Sequence, residues 1–349
     1  MWVTALVSPE PAIVASPPQA QLRPLARARS MPRIDTMNSR LCPILVVGAT
    51  GALGRPVVQA LRKRGLPVRA VCRHPEQAAD LAALGAEVLA ADLADPLSIT
   101  RAVAGTSRVL ACAHSLLGRG RWRSEAVDDA GHRHLIAAAG AAGVRRFVYT
   151  SAYGVGPNHP VDFFRTKHGI EQVLLASGLD AVILRPTSFM EQHVHQFNGQ
   201  GLLDKGKARL IGPGTKPRNF VAAADVAQLA VRALLLDPPP FRRLQIGSQG
   251  HYSNADVSAL YARYAGVPLK VSHLPSALAR LIAAVARPLH PGLARLLQLS
   301  SLPDDAFDEH FDGAAALESS QGLKLTTVEG FVQAKVAQAR GQPTSGGPG

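Results

Sequence analysis

The chain has 349 residues, 47% of them hydrophobic and 18% charged, so it is long enough to bury a large core. Its formal net charge is +13, but the positive residues are mostly arginines scattered along the chain rather than gathered into blocks. Only 5% of the residues are aromatic, which argues against a groove that stacks nucleic-acid bases. We therefore expect an ordinary globular protein that does not bind nucleic acid.

Cysteine usage and hydropathy indicate the cellular compartment in which the protein is expected. The three cysteines show neither disulfide nor metal-ligand spacing and lie far apart in or beside apolar runs: Cys42, Cys72 and Cys112. A reducing compartment, the cytoplasm, fits this pattern best. No uncharged apolar run reaches the ~18 residues that a bilayer crossing needs, because arginines interrupt the most apolar C-terminal stretch. The sequence thus predicts no transmembrane span.

The two ends of the chain differ in composition from the rest. Residues 1–42 are rich in Pro, Ala, Ser and Arg and lack an apolar period, which predicts a disordered extension. It is either a transit peptide or the product of a start assigned too far upstream, with Met31 or Met37 as the true beginning; we favour the second interpretation. Residues 341–349 are rich in Gly, Pro and Ser and are predicted to be a loose tail.

From residue 43 onward, a short apolar run, a turn and a helical period follow one another about six times. This alternation is typical of parallel strands joined by crossover helices, and it predicts a doubly wound α/β sheet of the Rossmann type over residues 43–250. Within the intervening helices, apolar residues recur at helical spacing, as at Leu53, Val57 and Leu61. The predicted strands are Ile44–Val47, Val68–Cys72, Glu87–Ala90, Val109–Ala113, Phe147–Thr150 and Ala181–Leu184.

The later part of the chain is predicted to be mainly helical. A strand near Phe220, a helix opened by Asp225 and a strand at Leu244–Gly247 complete the predicted sheet. Residues 251–340 then form a smaller substrate region, in which Asn254 is the expected N-cap of a helix through Ala265. The amphipathic basic stretch at 278–299, broken at its two prolines, is either a lid over a substrate cleft or a surface for a membrane or partner.

The strongest chemical signal is the segment Gly48-Ala49-Thr50-Gly51-Ala52-Leu53-Gly54, which follows an apolar strand and opens an amphipathic helix. Its first glycine permits a tight turn, its second lets the backbone approach a pyrophosphate, and its third allows close packing of helix on strand. The helix N-terminus then faces the anion. In this context the segment predicts dinucleotide binding.

The residues after the second and third strands indicate which dinucleotide. NAD sites usually place an acid at the end of the second strand, whereas this chain has Arg73, whose guanidinium suits the 2′-phosphate of NADP. Arg55 offers a second positive charge. Asp92 is placed to accept a hydrogen bond from the adenine amino group, although it is equally suited to a turn. The sequence therefore favours NADP(H) over NAD.

These features resemble the atypical short-chain dehydrogenases of the NmrA-like and isoflavone-reductase-like type over about residues 43–275. The resemblance rests on the glycine segment and on four further motifs: Val-Arg-Ala-Val-Cys-Arg ending at Arg73, Gly-Val-Arg-Arg-Phe-Val-Tyr-Thr-Ser ending at Ser151, Lys167 with Glu171, and Leu-Arg-Pro-Thr-Ser-Phe-Met-Glu at Leu184 to Glu191. It implies that Ser151 and Lys167 lie beside the nicotinamide and that Pro186 and Thr187 contact its carboxamide. The full cofactor set is predicted to be Gly48, Thr50, Gly51, Ala52, Leu53, Gly54, Arg73, Asp92, Leu93, Ala113, Lys167 and Pro186.

The chain departs from the superfamily pattern at one position. Four residues before Lys167, where the Tyr-x-x-x-Lys pattern has its acid, stands Phe163, which can neither donate nor accept a proton. Tyr153 and His168 are candidates to replace it, and we include Tyr153 with Lys167 and Ser151 in the catalytic set. Lys167 has a simpler alternative role, a surface pair with Glu171 one helical turn later.

The two His-x-His pairs, His132/His134 and His193/His195, do not predict a metal site, because side chains two positions apart on a helix diverge.

Taken together, the glycine segment, Arg73 and the family resemblance predict an NADP(H)-dependent reductase of a small hydrophobic acceptor such as a quinone or an enone. The alternative is a regulator or assembly factor that senses NADP(H) without turnover, which Phe163 favours. A third option is a structural subunit of a redox complex docked through its basic C-terminal helices.

Overall fold

The structure is a computed structural model that describes residues 33–34, 42–302 and 309–341. The predicted extension at 1–42 and the predicted tail at 341–349 fall outside these residues, apart from residues 33, 34, 42 and 341, and both stay predictions. The same holds for the proposed start at Met31 or Met37. Among the described residues, no helix is long and apolar enough to cross a membrane.

Seven strands form one parallel sheet: the six predicted between residues 44 and 184 and the one predicted at Leu244–Gly247. The strand near Phe220, which was also predicted to complete this sheet, instead pairs with Ser188–Phe189 outside it. In chain order they are β1 (Ile44–Val47), β2 (Val68–Cys72), β3 (Glu87–Ala90), β4 (Arg108–Ala111), β5 (Arg146–Thr150), β6 (Asp180–Pro186) and β7 (Arg243–Ile246). In space the order is β7-β6-β5-β4-β1-β2-β3, so the direction of winding reverses between β1 and β4. Ligands of open α/β sheets bind at the carboxyl ends of the strands beside such a reversal.

Twelve helices are found in the described residues: α1 (Gly54–Lys63), α2 (Ala79–Ala83), α3 (Pro96–Val103), α4 (His132–Ala141), α5 (Asp162–Ala176), α6 (Gln200–Lys205), α7 (Ala223–Leu235), α8 (Asn254–Ala265), α9 (Ser276–Ala286), α10 (Pro291–Ser300), α11 (Ala314–Gln321) and α12 (Val328–Ala339). Two π-helical segments, Glu125–Gly131 and Met190–Gly199, run directly into α4 and α6. Three short ladders lie outside the sheet and pair Arg33–Ile34 with Leu236–Asp237, Ser188–Phe189 with Phe220–Val221, and Ala208–Ile211 with Val271–Leu274.

The helices cover both faces of the sheet, which confirms the doubly wound fold. Successive residues of a strand point to opposite faces, so Ile44 and Val46 pack with α1 and α7, whereas Leu45 and Val47 pack with α3, α4 and α5. The central strands β1 and β4 are buried on both faces and are mostly apolar, the pattern from which the sheet was predicted. The edge strands β3 and β7 are partly exposed.

Several element boundaries differ from the predictions. Strand β4 ends at Ala111 rather than Ala113, because the backbone amides of Cys112 and Ala113 both turn back to the carbonyl of Val47. Helix α7 begins at Ala223, and Asp225 lies inside its first turn. Asn254 is not the N-cap of α8, since the neighbouring Ser253 forms a capping box with Asp256.

The C-terminal region is mainly helical and packs against the end of the sheet that carries the π-helical segment 190–199. Helices α8 and α12 share an apolar cluster with Met190 and Val194 of that segment. The stretch at 278–299 forms a helical hairpin, because α9 ends at Ala286 and Pro291 opens α10. The break at the two prolines is as predicted.

Candidate functional site

The glycine segment is held in place by two contacts that leave no room for a side chain. Gly48 has a φ of +93°, and a Cβ on it would lie 2.7 Å from the backbone nitrogen of Ala113. A Cβ on Gly54 would lie 2.1 Å from the carbonyl oxygen of Gly48. The first and third glycines therefore allow the turn and the close approach of α1 to β1, in the roles predicted for them.

The middle of the segment faces an open cavity. A Cβ on Gly51 would lie 3.3 Å from the Gly48 carbonyl oxygen, and Gly51 itself is exposed. Within the described residues, the backbone amides of Ala52 and Leu53 donate to no carbonyl. The first turn of α1 carries no acid, while Arg62 and Lys63 occupy its last turn. Free amides and an uncompensated helix N-terminus suit a diphosphate.

The cavity beside the glycine segment has a volume of about 400 Å³. It lies at the carboxyl ends of β1, β2 and β4, where the fold places ligands. Lys167 and Pro186 do not line it. The other ten predicted cofactor residues all do: Gly48, Thr50, Gly51, Ala52, Leu53, Gly54, Arg73, Asp92, Leu93 and Ala113.

At one end of this cavity, Arg73 and Asp92 meet a tryptophan that was not predicted to belong to the site. The guanidinium of Arg73 lies 5.2 Å from the ring centroid of Trp122, and Trp122 Nε1 donates to Asp92 Oδ2 at 2.7 Å. Asp92 Oδ1 also accepts from the Ala94 amide at 3.0 Å, so it acts as the turn residue too. No carboxylate of the described residues forms an ion pair with Arg73, which leaves its charge available to an anion.

Arg55, predicted as a second charge for a 2′-phosphate, is turned away from the cavity. Its guanidinium forms an ion pair with Asp80 and donates to the carbonyl of Gln77 at 2.9 Å. These partners lie in and just before α2, and Arg55 is not among the residues that line the cavity. In this structure its role is to tie α1 to α2.

Lys167 is buried, so the alternative interpretation, a surface pair with Glu171, is wrong. Its ammonium donates to the carbonyl of Thr150 at 2.9 Å and lies 5.2 Å from the ring centroid of Phe163. Glu171 is fully buried and instead binds the Arg185 guanidinium through both carboxylate oxygens, at 2.9 and 2.5 Å. Burial lowers the pKa of Lys167, which the nearby carboxylates partly offset.

Ser151 has a buried hydroxyl that finds no hydrogen-bond partner among the described residues. Its amide donates to the carbonyl of Leu184, which fixes Ser151 at the carboxyl end of β5. Burying a hydroxyl without a hydrogen-bond partner destabilises the fold, so this oxygen is suited to a hydrogen bond with a ligand or a water molecule.

The other predicted residues of this region have structural contacts. The Tyr153 hydroxyl donates to the carbonyl of His310 at 2.6 Å, and its ring packs on Phe311, so Tyr153 does not border the cofactor cavity. Pro186 accepts the Tyr153 amide through its carbonyl, and the Thr187 hydroxyl donates to Asn219.

Phe163 lies in an apolar cluster with Val161 and Phe164. Beside its ring stands His114, with the two ring centroids 6.0 Å apart. His114 lines the cavity and is exposed to it. Because protein atoms displace water around the ring, the pKa of His114 is lowered, and the positive charge of Lys167 lowers it further. A neutral imidazole is therefore available next to the missing tyrosine.

Sequence reasoning missed His114, although one signal was available. It follows β4 by three residues, at the sheet edge where the ligand groups of this fold converge.

Cys72 and Cys112 border the same cavity, and burial raises the pKa of the Cys112 thiol to about 12. That thiol donates to the carbonyl of Val47.

The His-x-His pairs diverge as their helical spacing requires. His132 Nδ1 lies 2.9 Å from the carbonyl oxygen of Val127, whereas His134 Nε2 lies 3.0 Å from the Thr100 hydroxyl. His195 Nδ1 lies 3.0 Å from the Tyr261 hydroxyl, and His193 packs on Phe197. Neither pair therefore aims its two rings at one point.

A larger cavity of about 780 Å³ adjoins the first, and Gln196 lines both. Its walls come from the π-helical segment, from the ladder of Ala208–Ile211 with Val271–Leu274, and from α10. Much of this wall is apolar and consists of Phe197, Leu210, Ile211, Leu274, Leu296, Leu299 and Leu302. A ligand in this space would lie next to the cofactor cavity.

A parallel sheet with a glycine turn, a free helix N-terminus and a cavity at the winding reversal defines a dinucleotide-binding protein of the Rossmann type. The sequence model of a family described as NAD(P)H-binding matches residues 48–237, more than half of the chain, and the chain belongs to this family. The resemblance to atypical short-chain dehydrogenases is thereby confirmed, as is a nicotinamide nucleotide as the cofactor.

Known proteins of two kinds are similar to this chain. The NAD(P)H azoreductase of Xenophilus azovorans is 29% identical over 228 residues, which cover 65% of this chain and 75% of that protein. The photosystem II assembly factor Ycf39 of Cyanophora paradoxa is 29% identical over 238 residues, covering 68% and 73%. An NADPH-dependent quinone oxidoreductase of Escherichia coli, solved with NADPH, is 25% identical with a TM-score of 0.64, covering 83% and 98%.

Proposed function

We propose that this protein is an NADPH-dependent reductase that transfers a hydride to an apolar acceptor such as a quinone or an enone. The observation that carries the proposal is the position of His114, which presents an imidazole to the cofactor cavity beside Phe163. The chain thus has a polar donor near the place where the motif lacks its tyrosine. The printed functions of the azoreductase and the quinone oxidoreductase are consistent with acceptors of this kind.

The preference for NADPH rests on Arg73. Its guanidinium lies at the end of β2 without an acidic partner among the described residues, and a 2′-phosphate there would gain charge-assisted hydrogen bonds. An NAD site would instead place a carboxylate at this point. Free thiols at Cys72 and Cys112 beside the cavity make a reducing, cytoplasmic location part of the same proposal.

When bound, the reduced nicotinamide supplies the hydride, and the conversion of a quinone to a hydroquinone then needs one proton. The Leu116 amide approaches His114 Nδ1 at 3.5 Å, an arrangement that assigns the ring proton to Nε2. From there His114 donates a hydrogen bond to the acceptor oxygen, and solvent supplies the proton that the product keeps. Such a neutral imidazole donor stabilises negative charge as it develops on the oxygen.

Lys167 and Ser151 have supporting roles in this mechanism. The Lys167 ammonium fixes the carboxyl end of β5 through the Thr150 carbonyl, and its charge lies close enough to lower the pKa of His114. Loss of water around the ring is the main cause of the lowered pKa of His114, and the Lys167 charge adds to it, so both favour the neutral imidazole. The Ser151 hydroxyl has no partner among the described residues but does not line the cavity, so its contact with the nicotinamide ribose or the acceptor rests on the family resemblance.

The test is turnover of NADPH with a panel of quinones and enones, followed by the absorbance of the reduced nicotinamide. His114→Phe should lower kcat by about a hundredfold while NADPH still binds, because the donor near the acceptor is lost. His114→Gln, which keeps an N–H donor, should lose less. His134→Gln, on the outer face of α4, serves as the control. Equal rates for all these variants would reject the role of His114.

A second candidate is a sensor or assembly factor that binds NADPH without turnover. Phe163 favours it, since the superfamily's proton-donating tyrosine is absent, and the relative from Cyanophora paradoxa is named an assembly factor. The same assay separates the two functions. Tight NADPH binding with no turnover for any acceptor would reject the reductase and support the sensor.

A further inference from the structure

Helix α9 has its large side chains on the outside and its small ones on the inside. It packs on α10 through Ala279 and Ala283, which are buried against Ala294 and Leu297. The exposed fractions of its large aliphatic residues and of one linker residue are high: Leu278 44%, Leu281 61%, Ile282 36%, Val285 70% and Leu289 84%. A surface helix of a globular protein usually shows the opposite arrangement.

The exposed aliphatic residues lie on one side of the helix. Leu278, Leu281, Ile282 and Val285 are related by the i, i+3, i+4, i+7 spacing of a single helical face, and Leu289 continues it beyond the last turn. We call these five residues the outer stripe. They form a contiguous apolar surface, which is unlike the isolated exposed leucines of ordinary protein surfaces.

The segment of the sequence that contains the outer stripe carries charge of one sign. The sequence contains no aspartate or glutamate between Asp256 and Asp304, whereas it contains Arg263, Lys270, Arg280, Arg287 and Arg295 in that interval. Arg280 and Arg287 are exposed on the other side of α9 from the stripe. Glu125 and Asp162 line the same recess as these two arginines, but among the described residues neither acid forms an ion pair with them. An apolar face with unpaired arginines on the opposite, polar face is the arrangement of a helix that lies at the headgroup boundary of an anionic bilayer.

The composition of the outer stripe favours lipid over a protein partner. It contains no aromatic residue and no hydrogen-bonding side chain, whereas protein interfaces draw their specificity from tyrosine, tryptophan and arginine anchors. The hairpin is also held firmly to the body of the protein. Arg295 of α10 is buried and binds the Asp162 carboxylate at 2.6 and 2.9 Å, so the stripe is displayed from an anchored element.

We propose that the α9–α10 hairpin docks the protein on an anionic membrane surface, with the outer stripe inserted at the boundary between headgroups and acyl chains. The inner side of the same hairpin supplies Leu296 and Leu299 to the apolar wall of the 780 Å³ cavity. A docked hairpin therefore places that cavity next to the lipid phase. The docking itself does not depend on the reductase function.

The test is co-sedimentation of the full chain with vesicles of phosphatidylcholine alone and of phosphatidylcholine mixed with phosphatidylglycerol. The protein should bind the mixed vesicles more tightly, and added salt should weaken that binding. The double variant Leu281→Glu/Val285→Glu should bind about tenfold or more weakly, because two apolar side chains are lost from the boundary. Both residues are exposed, so NADPH binding should report an intact fold.

Leu97→Glu is the matched control, since Leu97 is 72% exposed on α3, outside the hairpin. It should bind vesicles as the wild type does. Three outcomes would overturn the proposal: no sedimentation of the wild type with either vesicle, an equal loss in the Leu97 variant, or light scattering that shows the stripe variant converting an oligomer to a monomer with unchanged vesicle binding. The last result would make the stripe a protein interface.

Discussion

Trp122 is hydrogen-bonded to Asp92, its indole Nε1 lying 2.7 Å from the carboxylate Oδ2. Two guanidinium groups lie close to the same ring, that of Arg73 at 5.2 Å and that of Arg121 at 5.5 Å from its centroid. Trp122 belongs to a short 3-10 turn after β4, while Arg73 and Asp92 follow β2 and β3. The indole thus covers the two residues to which we assign the adenosine end of the cofactor.

The position of Trp122 predicts a fluorescence signal for cofactor binding. When NADPH enters, its adenosine should either stack on the indole or displace it from Asp92, and either event changes the polarity around the ring. Titration with NADPH should therefore change tryptophan emission, and Trp122→Phe should abolish the change. The other tryptophan, Trp2, lies outside the described residues, and an unchanged signal in Trp122→Phe would assign the response to Trp2 instead.

Arg73→Ala should weaken NADPH binding by about ten- to a hundredfold, since the hydrogen bonds to a charged 2′-phosphate are each worth roughly 1.5–3 kcal/mol. NADH lacks that phosphate, so its affinity should change little. Isothermal titration calorimetry with both nucleotides measures the ratio. Arg101→Ala, which removes an exposed arginine from α3, is the control. Equal losses for NADPH and NADH would contradict the assignment of the 2′-phosphate to Arg73.

The sheet could be predicted because its central strands are buried on both faces, and such strands are mostly apolar runs in the sequence. The glycine segment could be predicted for a similar reason, since its geometry is local and needs residues of one type at fixed spacing. Ser253 was missed as the cap of α8 because Ser and Asn are nearly equivalent caps, and only the side-chain geometry distinguishes them.

The contacts that were not predicted join residues far apart in the chain. A pair of Lys167 with Glu171 within one helix was the alternative to a cofactor role, but Glu171 binds Arg185 from the neighbouring strand β6. Trp122 was not expected near Asp92, because thirty residues separate the two in the sequence and no motif includes both. In both cases the partner is set by tertiary packing, which hydropathy and spacing do not encode.

Two of the three glycines of the turn, Gly54 and Gly51, should respond differently to alanine. In Gly54→Ala the Cβ would lie 2.1 Å from the Gly48 carbonyl oxygen, so the variant should unfold at markedly lower denaturant concentration. Gly51→Ala meets the same oxygen at 3.3 Å, so it should fold but bind NADPH more weakly, because the methyl group faces the cavity. Urea unfolding and calorimetry separate these effects.

The control for the glycine series is Gly140→Ala in α4, where a Cβ would meet nothing within 4 Å. This variant should gain about 0.5–1 kcal/mol of stability, since alanine is the better helix former. Full stability of Gly54→Ala would show that helix α1 can move away from β1, and it would contradict the packing described for the turn.

His132 should make the protein less stable in mild acid. The ring is buried, and burial, the largest influence, lowers its pKa to about 4, against about 6.5 in an unfolded chain. Between about pH 6.5 and pH 4 the unfolded state binds a proton at His132 that the folded state does not bind. The stability that is present above about pH 6.5 is therefore progressively lost down to about pH 4. Between pH 7.5 and 5 the loss from this group is about 2 kcal/mol. Urea unfolding of the wild type and of His132→Phe at both pH values measures it, and the variant should lose about 2 kcal/mol less between the two. An identical loss in both proteins would show that other groups cause the acid sensitivity.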